Sequence, residues 1–185
     1  MAIAGIDLSL TSPALCMYEG DGEFGIDRCT FYYMTDNPKK VVSNKYYKGT
    51  VSKQYESQLE RYENISTWII QCLMNHSVSK VFLEDYSYGS TGRVFHIAEN
   101  TGVLKYRLFK YHYQIETIPP TVIKKIATGK GNANKELMQT AFIQETNHNI
   151  KQMLTMTEKQ WNPSSDIIDS YYVCKYGALQ YNNQK

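Results

Sequence analysis

Four carboxylates carry the chemistry this sequence offers: Asp7, Glu84, Asp166 and Asp169. Asp7 ends the apolar run Ala2-Ile3-Ala4-Gly5-Ile6. A carboxylate there is costly unless it is paired or coordinates something. Taken alone it also reads as a turn aspartate, because Ser9, Thr11, Ser12 and Pro13 follow at once. Val81-Phe82-Leu83-Glu84 repeats the design: apolar residues, then acid. In Asn162-Pro163-Ser164-Ser165-Asp166-Ile167-Ile168-Asp169 two aspartates stand three apart near the start of a predicted helix. Residues i and i+3 share a helix face, so both carboxylates can point at one spot. The helix dipole accounts for an acid at Asp166. It does not account for Asp169, which interrupts the apolar set Ile167, Ile168, Tyr171, Tyr172 and Val173. Two strands ending in acid and one helix with an acidic pair compose a four-carboxylate pocket. Its all-oxygen donors suit hard divalent cations such as magnesium and manganese.

The elements that must position these acids follow from the periodicity. Residues 2–7 read as the first strand and Ala14–Tyr18 as the second, joined through Gly20-Asp21-Gly22 to a third, Phe24–Met34. These three open the sheet antiparallel. Residues 36–53 are polar and lysine-rich without a clear period, which predicts a surface loop. Tyr55, Leu59, Tyr62, Ile69 and Leu73, widened by Ile65, Trp68 and Cys72, mark an amphipathic helix. The strand Val81–Glu84 comes next, and alternation along it puts Asp85 on the opposite side from Glu84, as an outer residue. Tyr86-Ser87-Tyr88-Gly89-Ser90-Thr91-Gly92 is a link whose tyrosines either pack inward or stack on an unpaired base.

A second helix spans Arg93 to about His112, with Phe95, Ile97, Ala98, Val103, Leu104, Leu108 and Phe109. Its apolar face is broad enough for burial on two sides or for an oligomer contact. Gln114–Ile118 is a strand stopped by Pro119-Pro120, and Thr121–Ile126 a short helix. The loop Gly129-Lys130-Gly131-Asn132-Ala133-Asn134 leads into a helix over Lys135–Glu145. A glycine-rich loop before a helix suits a phosphate; an ordinary helix start capped by Asn132 or Asn134 is the other reading. The Walker A spacing is absent, which argues against a nucleoside triphosphate site. Residues 146–161 are polar and irregular with about one helical turn. A last helix, capped by Ser164 or Ser165, runs to about Gln180. His76 and His96 read as structural residues, not ligands.

The 185 residues suffice for one domain with a core, spanning 1–185. The net charge of +2 is compatible with nucleic acid without requiring it. Lysines cluster, though, at Lys39, Lys40, Lys45, Lys48 and Lys53 and again at Lys124, Lys125, Lys130 and Lys135, interleaved with tyrosines that can stack on bases. Cys16, Cys29, Cys72 and Cys174 form no C-x-x-C pair, which argues against zinc and for small buried hydrophobes in a reducing cytoplasm. There is no signal-like segment, and no apolar run approaches the ~18 residues of a membrane span.

This element order, with acids at these positions, resembles the RuvC family of Holliday junction resolvases. Gly5-Ile6-Asp7 is similar to the family's G-I-D opening, Phe82-Leu83-Glu84 to its central acidic strand, and Asn162-Pro163 through Asp166 and Asp169 to its C-terminal acidic helix. Val122-Ile123-Lys124 and Gly129-Lys130-Gly131-Asn132-Ala133-Asn134-Lys135 resemble its V-K and G-x-G-x-x-x-K segments. The departures are Ser87 where the family has an aromatic wedge, with Tyr86 and Tyr88 beside it, and Asp7-Leu8-Ser9-Leu10-Thr11 where bacterial members read D-P-G. The latter looks more like divergent viral members. The lysine-rich 36–53 segment has no family counterpart.

The resemblance implies an α/β, ribonuclease H-like fold with a mixed five-stranded sheet flanked by helices. It implies a crossover junction endonuclease that hydrolyses DNA phosphodiesters and cuts four-way junctions by paired nicks. Two magnesium ions, with manganese substituting, would be held by Asp7, Glu84, Asp166 and Asp169. Lys124 and Lys135 would assist catalysis, with Tyr86, Tyr88, Lys124, Lys130 and Lys135 on the DNA. The working unit would be a homodimer in the cytoplasm, a host cell's if the source is viral. Rival readings are a flap or fork nuclease of the same fold, a sugar-kinase-like ATPase, for which the chain is too short, and a non-catalytic DNA-binding module.

Overall fold

The structure, a computed structural model, describes residues 2–85 and 94–182. In order, its elements are β1 (Ala2–Asp7), β2 (Ala14–Glu19), β3 (Cys29–Thr35), β4 (Tyr47–Val51), α1 (Gln58–Met74), β5 (Val78–Glu84), α2 (Val94–Lys110), β6 (Gln114–Ile118), α3 (Pro120–Thr128), α4 (Lys135–Thr146), α5 (Ile150–Met153) and α6 (Ser164–Asn182). One sheet holds the strands in the order β4-β3-β2-β1-β5-β6. β1, β2 and β3 pair antiparallel, as their sequence predicts, with Asp7 opposite Ala14. β5 runs parallel to β1 with Ile6 opposite Leu83, and β6 parallel to β5 with Glu84 opposite Ile118.

The sheet has six strands, not the five expected. The sixth lies inside the segment read as a loop: β4 pairs parallel with β3, Tyr47 opposite Phe31. Only Tyr47 of its five residues is buried, its ring stacked on Phe31 with centroids 5.0 Å apart. One inward side chain among lysines and a glycine leaves no alternating pattern to detect. β3 also begins later than expected, at Cys29. Residues 20–28 connect it through a 3₁₀ turn at Ile26–Arg28, in place of a tight hairpin.

Strand alternation sorts the core into two layers. Ala4, Ile6, Leu15, Met17, Val81 and Leu83 pack under α1 and α2, against Ile65, Ile69, Leu73, Leu104 and Leu108. Ile3, Cys16, Phe31 and Phe82 face the other way, against Phe142, Tyr171, Tyr172 and Cys174. Each such fully buried aliphatic or aromatic side chain contributes about 1.5–3 kcal/mol. All four cysteines are free and buried, as expected.

α1 begins at Gln58, where Ser57 caps it by accepting from Glu60 N–H. Tyr55 therefore precedes the helix, and Leu59 on its first turn is 74% exposed, so neither joins the predicted stripe. The broad face of α2 splits in two. Leu104 and Leu108 are buried against α1's layer, while Phe95 (78%), Tyr106 (63%) and Phe109 (69%) are open to solvent. His76 bonds Tyr32 Oη and Glu19, and His96 bonds Tyr62 Oη, both structural roles. Asn134 caps α4 by accepting from Leu137 N–H. Gly129, at φ 77°, closes α3 in the left-handed conformation glycine favours. Helix capping thus accounts for that glycine and asparagine.

Candidate active site

Period two in the strands and 3.6 in the last helix bring the acids together. On β1, Ile3, Gly5 and Asp7 share the face toward α6; on β5, Phe82 and Glu84 do. α6 turns its Asp166, Asp169, Ser170 and Cys174 side to the same ends of the strands. The approach is close because glycine stands at both contacts: a Cβ on Gly5 would meet Cys174 and Ser170 backbone, and one on Gly177 would overlap the Phe82 ring.

Carboxylate oxygens of Asp7, Glu84 and Asp169 lie within 4.8 Å of one another. Asp166 stands beside them, close enough for its charge to act on the Asp7 carboxyl. It also accepts from Ser12 Oγ at 2.7 Å, and Ser12 Oγ in turn accepts from Asn162 Nδ2 at 2.8 Å. The four acids line a cleft of about 800 Å³ together with Lys124, Lys135 and Trp161.

Burial is the largest influence on every acid, raising its pKa by disfavouring charge. Asp7 is raised well above the usual carboxylate value, next by the charges of Asp166, Glu84 and Asp169. Burial and then Asp169 push Glu84 up to about 8, with Lys124 pulling the other way. Asp169 is raised to about 7 by burial and Asp166, against Lys135 and Lys124. Asp166 is raised only to about 6, because the Ser12 hydroxyl and Lys135 stabilise its charge.

A divalent cation fits this group. The donors are all carboxylate oxygens, three converge on one point, and their mutual repulsion is what a dication would relieve. Lys124 reaches the cleft from α3 and Lys135 from the first turn of α4, where its Nζ lies 3.4 Å from Ser165 Oγ.

The other sequence-predicted residues fall differently. Lys130 is exposed on the turn after α3 and does not line the cleft. Asp85 lines it, contrary to the opposite-side expectation, because β5 stops at Glu84 and alternation no longer governs the next residue. It stays outside the converging three. Tyr86 and Tyr88 lie outside the described residues. Sequence reasoning missed Ser12 and Trp161. Ser12 was visible only as one of several turn hydroxyls. Trp161 sits over Lys151, whose buried Nζ is 3.5 Å from the ring centroid, and neither residue carries a motif.

An antiparallel opening, two parallel strands ending in acid and an acidic helix laid across them define the ribonuclease H-like fold. A family model described as crossover junction endodeoxyribonuclease RuvC matches residues 24–170, and the chain belongs to the RuvC family. Among solved structures, Thermus thermophilus RuvC is 16% identical over 97% of each chain, with a TM-score of 0.60. T. thermophilus RuvC in complex with a Holliday junction substrate is 15% identical over 97% of this chain and 96% of that one, TM-score 0.64. The fowlpox virus Holliday junction resolvase is 12% identical over 100% of each, TM-score 0.50. At these identities the likeness speaks for the fold. Comparison with curated proteins returns no match. Among the described residues no helix is long and apolar enough to cross a membrane.

Proposed function

We propose that residues 1–185 form one nuclease domain, a metal-dependent, structure-selective DNA endonuclease that resolves four-way junctions by paired symmetric nicks in the cytoplasm. The observation that carries this is the convergence of Asp7, Glu84 and Asp169 within 4.8 Å in a RuvC-family chain. T. thermophilus RuvC and the fowlpox virus resolvase, which share the fold, are both known in complex with Holliday junction DNA. A non-catalytic DNA-binding module has no use for buried acids that repel one another.

Asp7, Glu84 and Asp169, with Asp166 beside them, would hold two magnesium or manganese ions. Bound there, the ions supply Lewis-acid polarisation of the scissile phosphate and lower the pKa of attacking water. Asp7 faces the charges of Asp166, Glu84 and Asp169 together and would hold the ions with them. Ser12, itself bonded by Asn162, orients the Asp166 carboxylate and favours its charged form. Lys124 and Lys135 place positive charge on the α3–α4 side of the cleft, where they offset charge building on the phosphate.

A junction with two-fold symmetry needs two nicks, and one cleft per chain supplies one, so the working unit is a C₂ dimer. Phe95, Gly102, Tyr106 and Phe109 follow one another at helical spacing along the open side of α2. A Cβ on Gly102 would meet nothing within 4 Å, so a second helix can approach closely there. This stripe is the candidate dimer contact. The test is cleavage of a panel of labelled substrates (four-way junction, replication fork, flap, linear duplex) in magnesium. Paired nicks at the junction, faster than any cut in the others, are expected. Faster cutting of forks or flaps would reassign the substrate.

A further inference from the structure

We propose that a second cavity beside the catalytic cleft holds one nucleotide of the DNA strand next to the cut and reads its base. The cavity has a volume of about 550 Å³ and shares Leu10 and Thr11 with the catalytic cleft, so the two lie on either side of that ridge. Leu10 follows Asp7 by three positions, at most about 11 Å of extended chain. The nucleotide held is therefore within a few positions of the scissile phosphate. This assignment rests on the nuclease reading for its substrate.

The lining has the composition a nucleobase needs. Pro13, Met34 and Ile65 are buried and make an apolar floor for a flat heterocycle. Asp36, Gln54 and Asn64 stand around it, offering a carboxylate acceptor and two amides that both donate and accept, the groups that read base edges. Tyr55 is partly exposed at the rim, and the Arg61 guanidinium lies over its ring at 4.7 Å from the centroid. With one face of the ring held this way, the other is available for stacking. Lys53 adds a cation for the adjoining phosphate.

The same Arg61 donates from both Nε and Nη2 to Leu10 O. It thereby ties the ridge between the two cavities to the stacking ring, so the pocket is braced against the catalytic strand end. β4 and the residues after it, Val51 to Tyr55, build the outer wall. This gives the lysine-rich segment a role that the four-carboxylate site leaves unexplained.

The experiment reads binding and cleavage separately. A four-way junction library randomised around the crossover is incubated with the protein in EDTA, and the bound fraction is sequenced. Wild type should enrich particular bases at one position near the crossover. Tyr55→Ala should flatten that enrichment and weaken binding by about tenfold, the usual loss for one stacked base. Gln54→Ala should flatten it with a smaller loss of affinity, and Lys53→Ala should weaken binding without altering the preference. All three side chains are exposed, and unchanged melting temperatures would show intact folds. Enrichment and affinity unchanged within about twofold in both Tyr55→Ala and Gln54→Ala would overturn the pocket assignment. So would a wild type that enriches no base. Failure of wild type to cut any junction in magnesium would overturn the nuclease reading instead, while the EDTA arm still decides the pocket.

Discussion

Gly5 lies directly against the backbone of Cys174: a Cβ there would overlap its main chain and sit 2.6 Å from Ser170 O. This contact sets the distance between β1 and α6, and so between Asp7 and the two helix acids. Gly5→Ala should push α6 away, costing about 1–3 kcal/mol by overpacking. Cleavage should fall far more than stability, because the acids no longer converge. Thermal melting and cleavage rates measured on the same preparation check this; wild-type activity in a folded Gly5→Ala protein would contradict it.

The acid cluster makes the metal-free protein sensitive to pH in a defined direction. Glu84 rises from an ordinary value of 4.5 to about 8, Asp169 from 3.8 to about 7 and Asp166 from 3.8 to about 6. The folded state therefore holds more protons than the unfolded state between about pH 4 and 8. The cluster's contribution to stability is present below the unfolded values and is lost as pH rises through the folded ones. Without metal, the melting temperature should fall from pH 5 to pH 8 more steeply in wild type than in Asp7→Asn. At pH 8 magnesium should stabilise wild type more than the variant. Equal slopes and equal magnesium shifts would rule out the site at Asp7.

Ser12 favours the charged form of Asp166, against burial, through the 2.7 Å bond from its hydroxyl. Hydrogen bonds to charged groups contribute about 1.5–3 kcal/mol. Ser12→Ala should raise the Asp166 pKa and move the acidic limb of the pH–rate profile to higher pH, with binding kept. An unmoved profile would assign Ser12 a packing role only.

How much of this the sequence announced depends on how many residues carry each signal. Asp7, Glu84 and Asp169 were findable because each ends or interrupts a run of apolar residues, and Asp166 because it stands three positions before Asp169; the strand and helix periods dictate that they meet. Tyr47 signals β4 alone, and Ser12 acts through a partner 154 positions away, so neither leaves a local pattern. Leu104 and Phe109 belong to one apolar stretch of α2. Only tertiary packing separates the core-facing residue from the open one.

That separation directs the assembly test. Tyr106→Glu and Phe109→Glu place charge on the open stripe and should yield a folded monomer by light scattering that nicks junctions without pairing the nicks. Leu104→Glu buries an unpaired charge in the core and should unfold the protein. A monomeric wild type at concentrations where it makes paired nicks would refute the dimer.

The most direct measurement is incubation of the protein with a synthetic four-way junction, with magnesium or with EDTA, beside Asp7→Asn, Glu84→Gln, Asp166→Asn and Asp169→Asn. Wild type should make two symmetric nicks in opposed strands with magnesium and none without. Each variant should cut at least ~10³-fold more slowly, about 4 kcal/mol of lost transition-state stabilisation, while still binding the junction. Cleavage in EDTA, or near-wild-type rates in any two of the four variants, would contradict the carboxylate centre.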